Sequence, residues 1–439
     1  MQNFEDVIKE DCFYVDKTPF IEDIEESNKY FFYIRPRRFG KSLTLSMLEN
    51  YYDINKKEDF DTIFGGLYIG ENPTPEHNTY LVIHLNFAEV DSGLDNYKEG
   101  LDTHCRLVFE DFCTRYAALL PKGTKEELKS EQGAIAQLRF LCQKCTEVKQ
   151  KIYLFIDEYD NFTNMILSSE EHLERYKGQT HGEGYLRRFF NTIKGAANTS
   201  LGRIFVTGVS PVTMDDLTSG FNIGTNYSLA PEFNEMTGFT EEEVREMLSY
   251  YAGVLPFNHT VDELIEIMKP WFDNYCFAIN SYGKTTMYNS IMVLNFVDNY
   301  IRNDYHIPNK MVETNIRIDY SKIRMLIRHD KEFAHDASII QELVTKGYTT
   351  GNLVENFPAD RINDPDNFLS LLFYFGLVTI DGEYKGSTKF IIPNEVVRDQ
   401  IYTYLLDTYR ENDLTFEQYD KNKLESRLAY DGDFKPYFD

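Results

Sequence analysis

Three adjacent residues near the N-terminus, Gly40, Lys41 and Ser42, are of the types that bind a nucleotide phosphate. A lysine ammonium in this position contacts the β and γ phosphate oxygens, and the hydroxyl after it is a ligand of Mg²⁺. The tripeptide alone also fits a solvated Lys-Ser pair at the start of any helix. Its context favours the phosphate site, because an apolar segment (30–34) precedes it and a helical pattern (43–52) follows.

The loop before these residues departs from the usual glycine-rich pattern. Arg35 stands where a first glycine is expected, and Pro36 restricts Arg35 to extended dihedrals, so we expect the strand to continue through Arg35. Arg38 and Phe39 stand where small residues usually turn, at a cost of about 1 kcal/mol if a left-handed dihedral is required. Arg37 and Arg38 could add charge-assisted contacts to phosphate. The predicted phosphate-binding loop consists of Arg37, Arg38, Phe39, Gly40, Lys41, Ser42 and Leu43.

A second apolar segment (152–156) ends in two adjacent carboxylates, Asp157 and Glu158. Asp157 at the end of a strand would hold Mg²⁺ together with Ser42, and Glu158 would polarise an attacking water. The alternative is a buried strand that happens to end in an acidic turn. Since this segment follows the Gly-Lys-Ser segment in the order that a phosphate-loop ATPase needs, the two together favour ATP and Mg²⁺ as cofactors.

Two further segments carry candidate catalytic groups. Thr207 and Ser210 lie at the end of an apolar segment (203–208), and either could contact the γ-phosphate if this strand lies between the other two. Arg187 could stabilise transition-state charge, in an oligomer if it acts on a neighbouring subunit. A Ser-Pro turn and a solvated helix face are the simpler alternatives. The predicted catalytic residues are Glu158, Ser210 and Arg187, and the predicted metal ligands are Ser42 and Asp157.

The elements that must position these residues alternate between short apolar segments and amphipathic ones. This alternation predicts an α/β fold with a mostly parallel sheet, and the unbroken apolar segments indicate strands covered on both faces. The predicted strands are 30–35, 80–87, 152–157 and 203–208, and the predicted helices are about 43–53, 94–119, 134–149 and 183–197.

After residue 238 the pattern becomes mostly helical. Thr240 followed by Glu243 forms a capping box at the start of one helix. Further on, a helix (367–375), a strand, a turn at Asp381-Gly382 and a second strand (389–392) resemble the wing of a winged helix, although any small α+β unit would fit. The predicted domains are a nucleotide domain (1–238), a helical lid (239–345), a winged-helix-like α+β unit (346–411) and a C-terminal connector (412–439).

The composition limits the classes of function. With 45 basic and 71 acidic residues the net charge is −26, which disfavours a broad nucleic-acid surface without excluding a narrow one. Apolar segments are of strand length, too short to span a bilayer, and no signal peptide is recognisable, so we expect a cytoplasmic protein that does not bind membranes.

Taken together, these motifs resemble the bacterial AAA-ATPase-like family. The resemblance rests on YVDKT (14–18), RPRRFGKSL (35–43), LFIDEYDNF (154–162) and TGVSPVTMDDLTSGFN (207–222), and it continues in segments as far as IPNEVVRD (392–399). It implies a P-loop ATPase with Walker A and Walker B motifs, and in this family the arginine-rich loop is usual. Departures are Cys276, where relatives commonly have arginine, and Ser290, where proline is usual.

Members of this family often carry a C-terminal nuclease domain of the PD-(D/E)XK type. No Asp…Glu-x-Lys constellation follows residue 400, so we expect an ATPase without the nuclease, either a short member or a truncated form. The expected function is Mg²⁺-dependent ATP binding and hydrolysis, linked by the resemblance to nucleic-acid processing or defence. The alternative is a nucleotide-dependent switch or scaffold for protein partners with little hydrolysis.

Overall fold

The computed structural model describes residues 3–90, 97–161, 184–212, 224–312, 339–362 and 364–411. In this part of the chain the strands are β1 (Tyr30–Ile34), β2 (Tyr80–Asn86), β3 (Lys151–Asp157), β4 (Leu201–Gly208), β5 (Thr225–Asn226), β6 (Thr349–Gly351), β7 (Thr379–Tyr384) and β8 (Ser387–Ile391). The first half holds helices α1 (Phe4–Lys9), α2 (Phe20–Glu26), α3 (Lys41–Tyr52), α4 (Phe60–Phe64), α5 (Tyr68–Glu71), α6 (Tyr97–Arg115), α7 (Thr124–Leu128), α8 (Gly133–Glu147) and α9 (Tyr185–Ala196). The second half holds α10 (Glu241–Val254), α11 (Val261–Phe272), α12 (Ser290–Arg302), α13 (Ile339–Lys346), α14 (Pro365–Tyr374) and α15 (Glu395–Glu411).

A five-stranded sheet organises the first half of the chain, and its strand order is β2-β3-β4-β1-β5. Each of its strand pairs is parallel, with Ile34 opposite Gly208 and Asn86 opposite Asp157. Because the strands are parallel, β1, β3 and β4 all end at one edge, where ligands bind in such sheets. The predicted α/β class is confirmed, and β4 does lie between the strands that carry the two motifs.

Apolar side chains cover both faces of this sheet. One face buries Phe31, Phe155 and Phe205 against α1 to α4, and the other face buries residues such as Leu154 and Ile204 against α6, α8 and α9. This explains why the strand segments are almost continuously apolar rather than alternating. The loops at the end of the sheet are thereby held on a rigid base.

A separate apolar core lies within α10, α11 and α12, and it contains Val244, Leu264 and Phe296. The predicted capping box at α10 is confirmed, since the Thr240 hydroxyl accepts from the Glu243 amide while the Glu243 carboxylate accepts from the Thr240 amide. Such reciprocal caps fix the start of the helix.

The C-terminal unit contains a three-stranded antiparallel sheet with the order β6-β8-β7, as expected for a small α+β unit. Its hairpin turn is at Lys385-Gly386, so the prediction of a turn at Asp381-Gly382 is wrong. Both turn residues have positive φ, 53° and 86°, which suits a two-residue hairpin. Asp381-Gly382 lies inside β7, where the pairing register shifts between Ile380 and Glu383.

The predicted strands and helices of the first half agree with the structure to within a few residues at each end. The exact domain boundaries remain a prediction, and the connector (412–439) and residues 313–338 of the helical region lie outside the described residues. Among the described helices, none is long and apolar enough to cross a membrane.

Candidate functional site

The phosphate-binding loop begins where β1 ends and leads directly into α3. Gly40 precedes the helix with φ 91°, a left-handed conformation that glycine adopts without strain. Arg38 also has positive φ, 72°, so the predicted left-handed residue in this loop is found at Arg38. The turn brings the first amides of α3 to the carboxyl edge of the sheet, where a helix N-terminus favours an anion.

Lys41 is buried at the first position of α3, with 7% of its surface exposed. Its Nζ donates to the carbonyl oxygens of Arg35 and Pro36, at 3.1 Å each. Burial lowers the pKa of Lys41, while the nearby carboxylates of Glu158 and Asp157 oppose that shift. An ammonium held by backbone carbonyls can exchange them for phosphate oxygens, which are stronger acceptors because they are charged.

Ser42 and Asp157 meet across the gap between α3 and β3. The Ser42 hydroxyl donates to Asp157 Oδ2 at 3.0 Å, and Asp157 is 3% exposed. Burial and the neighbouring Glu158 raise the pKa of Asp157 above its usual value. These two oxygens are therefore placed together, as the predicted metal ligands must be.

Glu158 follows Asp157 in a left-handed conformation, with φ 49°. A non-glycine residue in this region costs about 1 kcal/mol, and such conformations cluster at functional sites. The Glu158 amide donates to Asp157 Oδ1 at 2.8 Å, so the carboxylate of Asp157 stabilises the turn. The half-buried side chain of Glu158 borders the same cavity as Lys41 and Ser42.

The polar residues predicted at the end of β4 lie deeper in the protein. Thr207 is buried, and its hydroxyl donates to the Tyr33 carbonyl at 2.6 Å. Ser210 is fully buried; its amide donates to Asp160 Oδ2 at 2.7 Å, and its hydroxyl accepts from the Val212 amide at 3.3 Å. Neither residue borders the cavity that contains Lys41.

Arg187 lies in the first turn of α9, where it is half-buried, and it does not border this cavity. The helix itself is anchored through Tyr185, whose hydroxyl donates to Asp102 of α6. The structure therefore brings together the loop, Asp157 and Glu158, while Ser210 and Arg187 stand apart from them.

Arg35 does not point toward the phosphate site. It is 2% exposed, and its guanidinium donates to the carbonyls of Ile34, Ser228 and Phe233. The same group lies 4.3 Å from the ring centroids of both Tyr33 and Phe277. The strand pairing continues as expected, because the Arg35 amide donates to the Gly208 carbonyl at 3.3 Å. Arg35 thus replaces the glycine as a buried structural cation.

The helical region contacts the loop backbone directly. Ser290 at the start of α12 donates its hydroxyl to the Arg38 carbonyl at 3.2 Å, and the Ile291 amide donates to the same carbonyl at 3.3 Å. The Gly238 amide donates to the Phe39 carbonyl at 2.8 Å. The Phe39 ring packs edge-on against Tyr275 and Phe277, 4.9 and 5.2 Å away. Phe39 therefore anchors the loop to the second region.

A cavity of about 1090 Å³ extends from this loop between the N-terminal segment and the helical region. At the loop end it is bordered by residues of the loop, Asp157, Glu158 and Asn161. Away from the loop it is bordered by apolar and aromatic side chains, among them Phe13, Tyr14, Met247, Tyr251 and Leu294, and also by the charged Lys17, Asp298 and Arg302. A pocket with both charged groups and apolar or aromatic groups in its wall is suited to a molecule that has both kinds of group, such as a nucleotide.

These residues also fit a magnesium ion bound with a nucleotide. Mg²⁺ in such sites takes one or two protein oxygens, with phosphate and water oxygens as the other ligands. Ser42 and Asp157 supply two oxygens 3.0 Å apart. The described part of the chain contains no cluster of three or more His, Cys, Asp or Glu side chains suited to a metal.

The parallel sheet, its strand order and the loop before α3 define a nucleotide-binding P-loop fold of the AAA type. Residues 1–218 match the family model described as predicted AAA-ATPase, so the resemblance of this part of the chain to the AAA-ATPase-like family is confirmed.

A curated protein from Azotobacter chroococcum mcd 1, the uncharacterized protein in the vnfD 5′ region, is 25% identical over 266 residues. The match covers 61% of this chain and 45% of the relative, so the chain spans less than half the length of that protein.

Solved structures with similarity include Cdc6p from Pyrobaculum aerophilum, at 13% identity and a TM-score of 0.34, covering 86% of this chain and 88% of that chain. The Orc2 protein of Aeropyrum pernix, solved as ADPNP-ADP complexes, has 11% identity and a TM-score of 0.38, covering 89% and 93%. The Orc1 protein of the same organism, solved in complex with DNA, has 11% identity and a TM-score of 0.33, covering 88% and 91%. All three TM-scores are below 0.5.

Sequence reasoning missed the residues that the second region and the N-terminal segment bring to the cavity. Phe13, Lys17, Tyr251 and Leu294 border it, yet none was predicted as a site residue. The YVDKT motif (14–18) was a signal, but its spacing to the other motifs does not reveal what it contacts.

Proposed function

We propose that this protein binds ATP with Mg²⁺ in the cavity beside the loop and hydrolyses it. The observation that carries the proposal is the convergence of Lys41, Ser42 and Asp157 at the carboxyl edge of one parallel sheet. Match of residues 1–218 to a predicted AAA-ATPase family supports the same function.

In this proposal the residues have separate roles. Lys41 releases the two carbonyls and binds the β and γ phosphates, and the amides from Arg38 to Leu43 surround the anion. Ser42 and Asp157 hold Mg²⁺, which would neutralise charge on the phosphates. Glu158 borders the cavity beside Asp157, where it can accept a proton from the attacking water.

The proposal also gives Ser210 and Arg187 catalytic roles, although neither residue borders the cavity. Ser210 can act only through its neighbours; Asp160, which binds the Ser210 amide, is two residues from Glu158. Arg187 would have to act on a neighbouring subunit, in an oligomer. The proposal also includes a cytoplasmic location in a bacterial cell and a nucleic-acid or protein partner.

A nucleotide-dependent switch is the second candidate, because hydrogen bonds from Gly238, Ser290 and Ile291 join the loop to the helical region. Such bonds would transmit the state of the loop without any need for turnover. Hydrolysis assays of the wild-type protein and Glu158→Gln, with and without DNA or RNA, separate the two functions. We expect wild-type hydrolysis at least about 100-fold above the variant, the size of a typical general-base effect. Equal rates in every condition would contradict the ATPase and favour the switch.

A further inference from the structure

The N-terminal segment Asp16-Lys17-Thr18, here called the strap, connects the sheet domain to the helical region beside the cavity. Asp16 Oδ2 accepts from the Tyr68 amide at 2.8 Å, and the Thr18 hydroxyl accepts from the Ile69 amide at 3.2 Å. Asp16 and Thr18 also bond to each other, with the Thr18 hydroxyl 2.6 Å from Asp16 Oδ1. These contacts fasten both ends of the strap to the sheet domain.

Lys17 faces the other way and bonds to the helical region. Its Nζ lies 2.6 Å from Glu243 Oε1 and 2.8 Å from Oε2, and it also donates to the Glu235 carbonyl at 2.8 Å. Lys17 is 7% exposed, and burial lowers its pKa although Glu243 opposes that shift. The ion pair is partly buried, since the Glu243 side chain is 23% exposed. Removing one partner of such a pair is costly, because the remaining charge is left without a partner.

Glu243 is also the residue that caps α10, since its carboxylate accepts from the Thr240 amide at 2.8 Å. The Glu243 carboxylate therefore binds both the first turn of α10 and Lys17 of the strap. One and two turns further along α10, Met247 and Tyr251 border the cavity. From the strap side, Phe13 lies 6.2 Å from the Tyr251 ring, centroid to centroid.

The two lysines of the cavity wall thus differ in their partners. Lys17 is neutralised by a carboxylate, whereas the partners of Lys41 in the described residues are backbone carbonyls. The charge of Lys41 is available to a phosphate, and the charge of Lys17 is already matched by Glu243. This contrast indicates a positioning role for Lys17 rather than direct phosphate binding.

We propose that the ion pair between Lys17 and Glu243 is a latch that sets the distance between the strap and α10, and so the width of the cavity where Met247 and Tyr251 border it. Lys17 is then a positioning residue for the base of the nucleotide. This inference rests on the proposed function, since it assumes that the cavity takes a nucleotide.

The test is a double-mutant cycle on the affinity of the full chain for Mg-ATP. Lys17→Met removes the cation, and Glu243→Gln removes the charge while it keeps an acceptor for the capping box. We expect each variant to weaken binding about fivefold or more, the lower end of typical coupling between two sites. The double variant should bind about as weakly as the weaker single variant, because both remove one interaction.

Lys346→Met is the matched control, because Lys346 forms an exposed ion pair with Glu342 on α13, 2.7 Å long, away from the cavity. It should leave the affinity unchanged. Losses that multiply in the double variant, or affinities equal to the wild-type value in folded Lys17→Met and Glu243→Gln, would overturn the latch. Absence of Mg-ATP binding by the wild-type protein would instead overturn the proposed function.

A second measurement does not depend on the folding of Lys17→Met. Cys12 borders the cavity and is exposed, whereas the other five cysteines are buried, so a thiol reagent reports on Cys12. We expect Mg-ATP to slow alkylation of Cys12 in the wild-type protein, and this protection to be lost in Glu243→Gln. Alkylation of the wild-type protein at the same rate with and without bound Mg-ATP would contradict a nucleotide positioned beside the strap.

Discussion

At the scale of single residues, the ionised carboxylate of Asp157 lowers the stability of the folded protein. Burial and Glu158 raise its pKa, so the ionised carboxylate is less favourable in the folded protein than in the unfolded chain. Its contribution to stability therefore improves as pH falls through the folded pKa, and it is unfavourable at neutral pH. Without a nucleotide, the folded protein would therefore be more stable if Asp157 were uncharged.

Asp157→Asn should therefore stabilise the nucleotide-free protein at pH 7, by about 0.5–2 kcal/mol, the usual size of one stabilising substitution. The amide can donate to Ser42 Oγ and still accept from the Glu158 amide, so the local bonds persist. Chemical denaturation measures the gain, and titration with ATP should show that Mg²⁺ no longer improves binding. A less stable variant would contradict this account of the carboxylate.

His84 is a second titratable residue on the sheet, and its Nδ1 lies 2.6 Å from Glu49 Oε1 of α3. Burial lowers the pKa of His84, but the bond to Glu49 and the charges of Glu49, Asp157 and Glu89 raise it further, so the net shift is upward. Since the folded pKa is raised, the stabilisation is complete below about pH 6.5 and is lost as pH rises through the folded pKa.

We accordingly expect the free energy of unfolding to decline above about pH 6.5 more steeply in the wild-type protein than in His84→Gln. Denaturation at a series of pH values measures the two slopes, with Glu49→Gln as the partner variant that should behave like His84→Gln. Identical pH profiles for the wild-type protein and both variants would show that the pair does not titrate as described.

At the scale of elements, the loop and the helical region meet at Gly238. Its φ is 82°, and a Cβ placed there would lie 2.9 Å from both the Phe39 ring and the Tyr288 carbonyl oxygen. Gly238→Ala should therefore cost about 1–3 kcal/mol through strain and crowding. Because the Gly238 amide also bonds to the Phe39 carbonyl, the loop should shift and Mg-ATP affinity should fall.

Gly253→Ala supplies the control, since Gly253 lies in α10 and a Cβ there would meet nothing within 4 Å. Alanine favours a helix by up to about 1 kcal/mol over glycine, so this variant should be as stable as the wild-type protein or more stable. Thermal unfolding with and without Mg-ATP compares the two variants. Equal behaviour of both would mean that Gly238 does not join the loop to the second region.

Some of these elements could be predicted from the sequence and others could not. Strands β1, β3 and β4 could be predicted because long apolar segments need burial on both faces. Strand β5 has only two residues, Thr225 and Asn226, which is too short for a pattern. The dipeptide Asp381-Gly382 favours a turn and so predicts the hairpin there, whereas in the structure it lies within β7 and the chain turns at Lys385-Gly386.

At the scale of the whole molecule, the part of the site that could be predicted is the part that local motifs mark. Gly40, Lys41 and Ser42 lie between one strand and one helix, and Asp157 and Glu158 end a second apolar strand. The latch joins Lys17 to Glu243, 226 positions apart, and no local pattern encodes such a contact. The contacts of Arg35 could not be predicted either, because its partners include the carbonyls of Ser228 and Phe233, which are far away in the sequence.

The whole chain is acidic, with a net charge of −26, so the cations of the loop are important for attracting an anion. A polyanion such as ATP is repelled by the average surface, so the proposed binding would depend on the local charge of Arg37, Arg38 and Lys41 together with Mg²⁺. We therefore expect the magnesium complex of ATP to bind more tightly than the free nucleotide.

Equilibrium titration of Mg-ATP into the wild-type protein and Lys41→Ala determines whether Lys41 binds the phosphates of ATP. Lys346→Ala is the control, because it removes a lysine of the same length from an exposed ion pair. We predict saturable binding by the wild-type protein and the control, and at least about a 100-fold loss in Lys41→Ala, since charge-assisted bonds to two phosphates are removed. Unchanged affinity in folded Lys41→Ala would contradict the account.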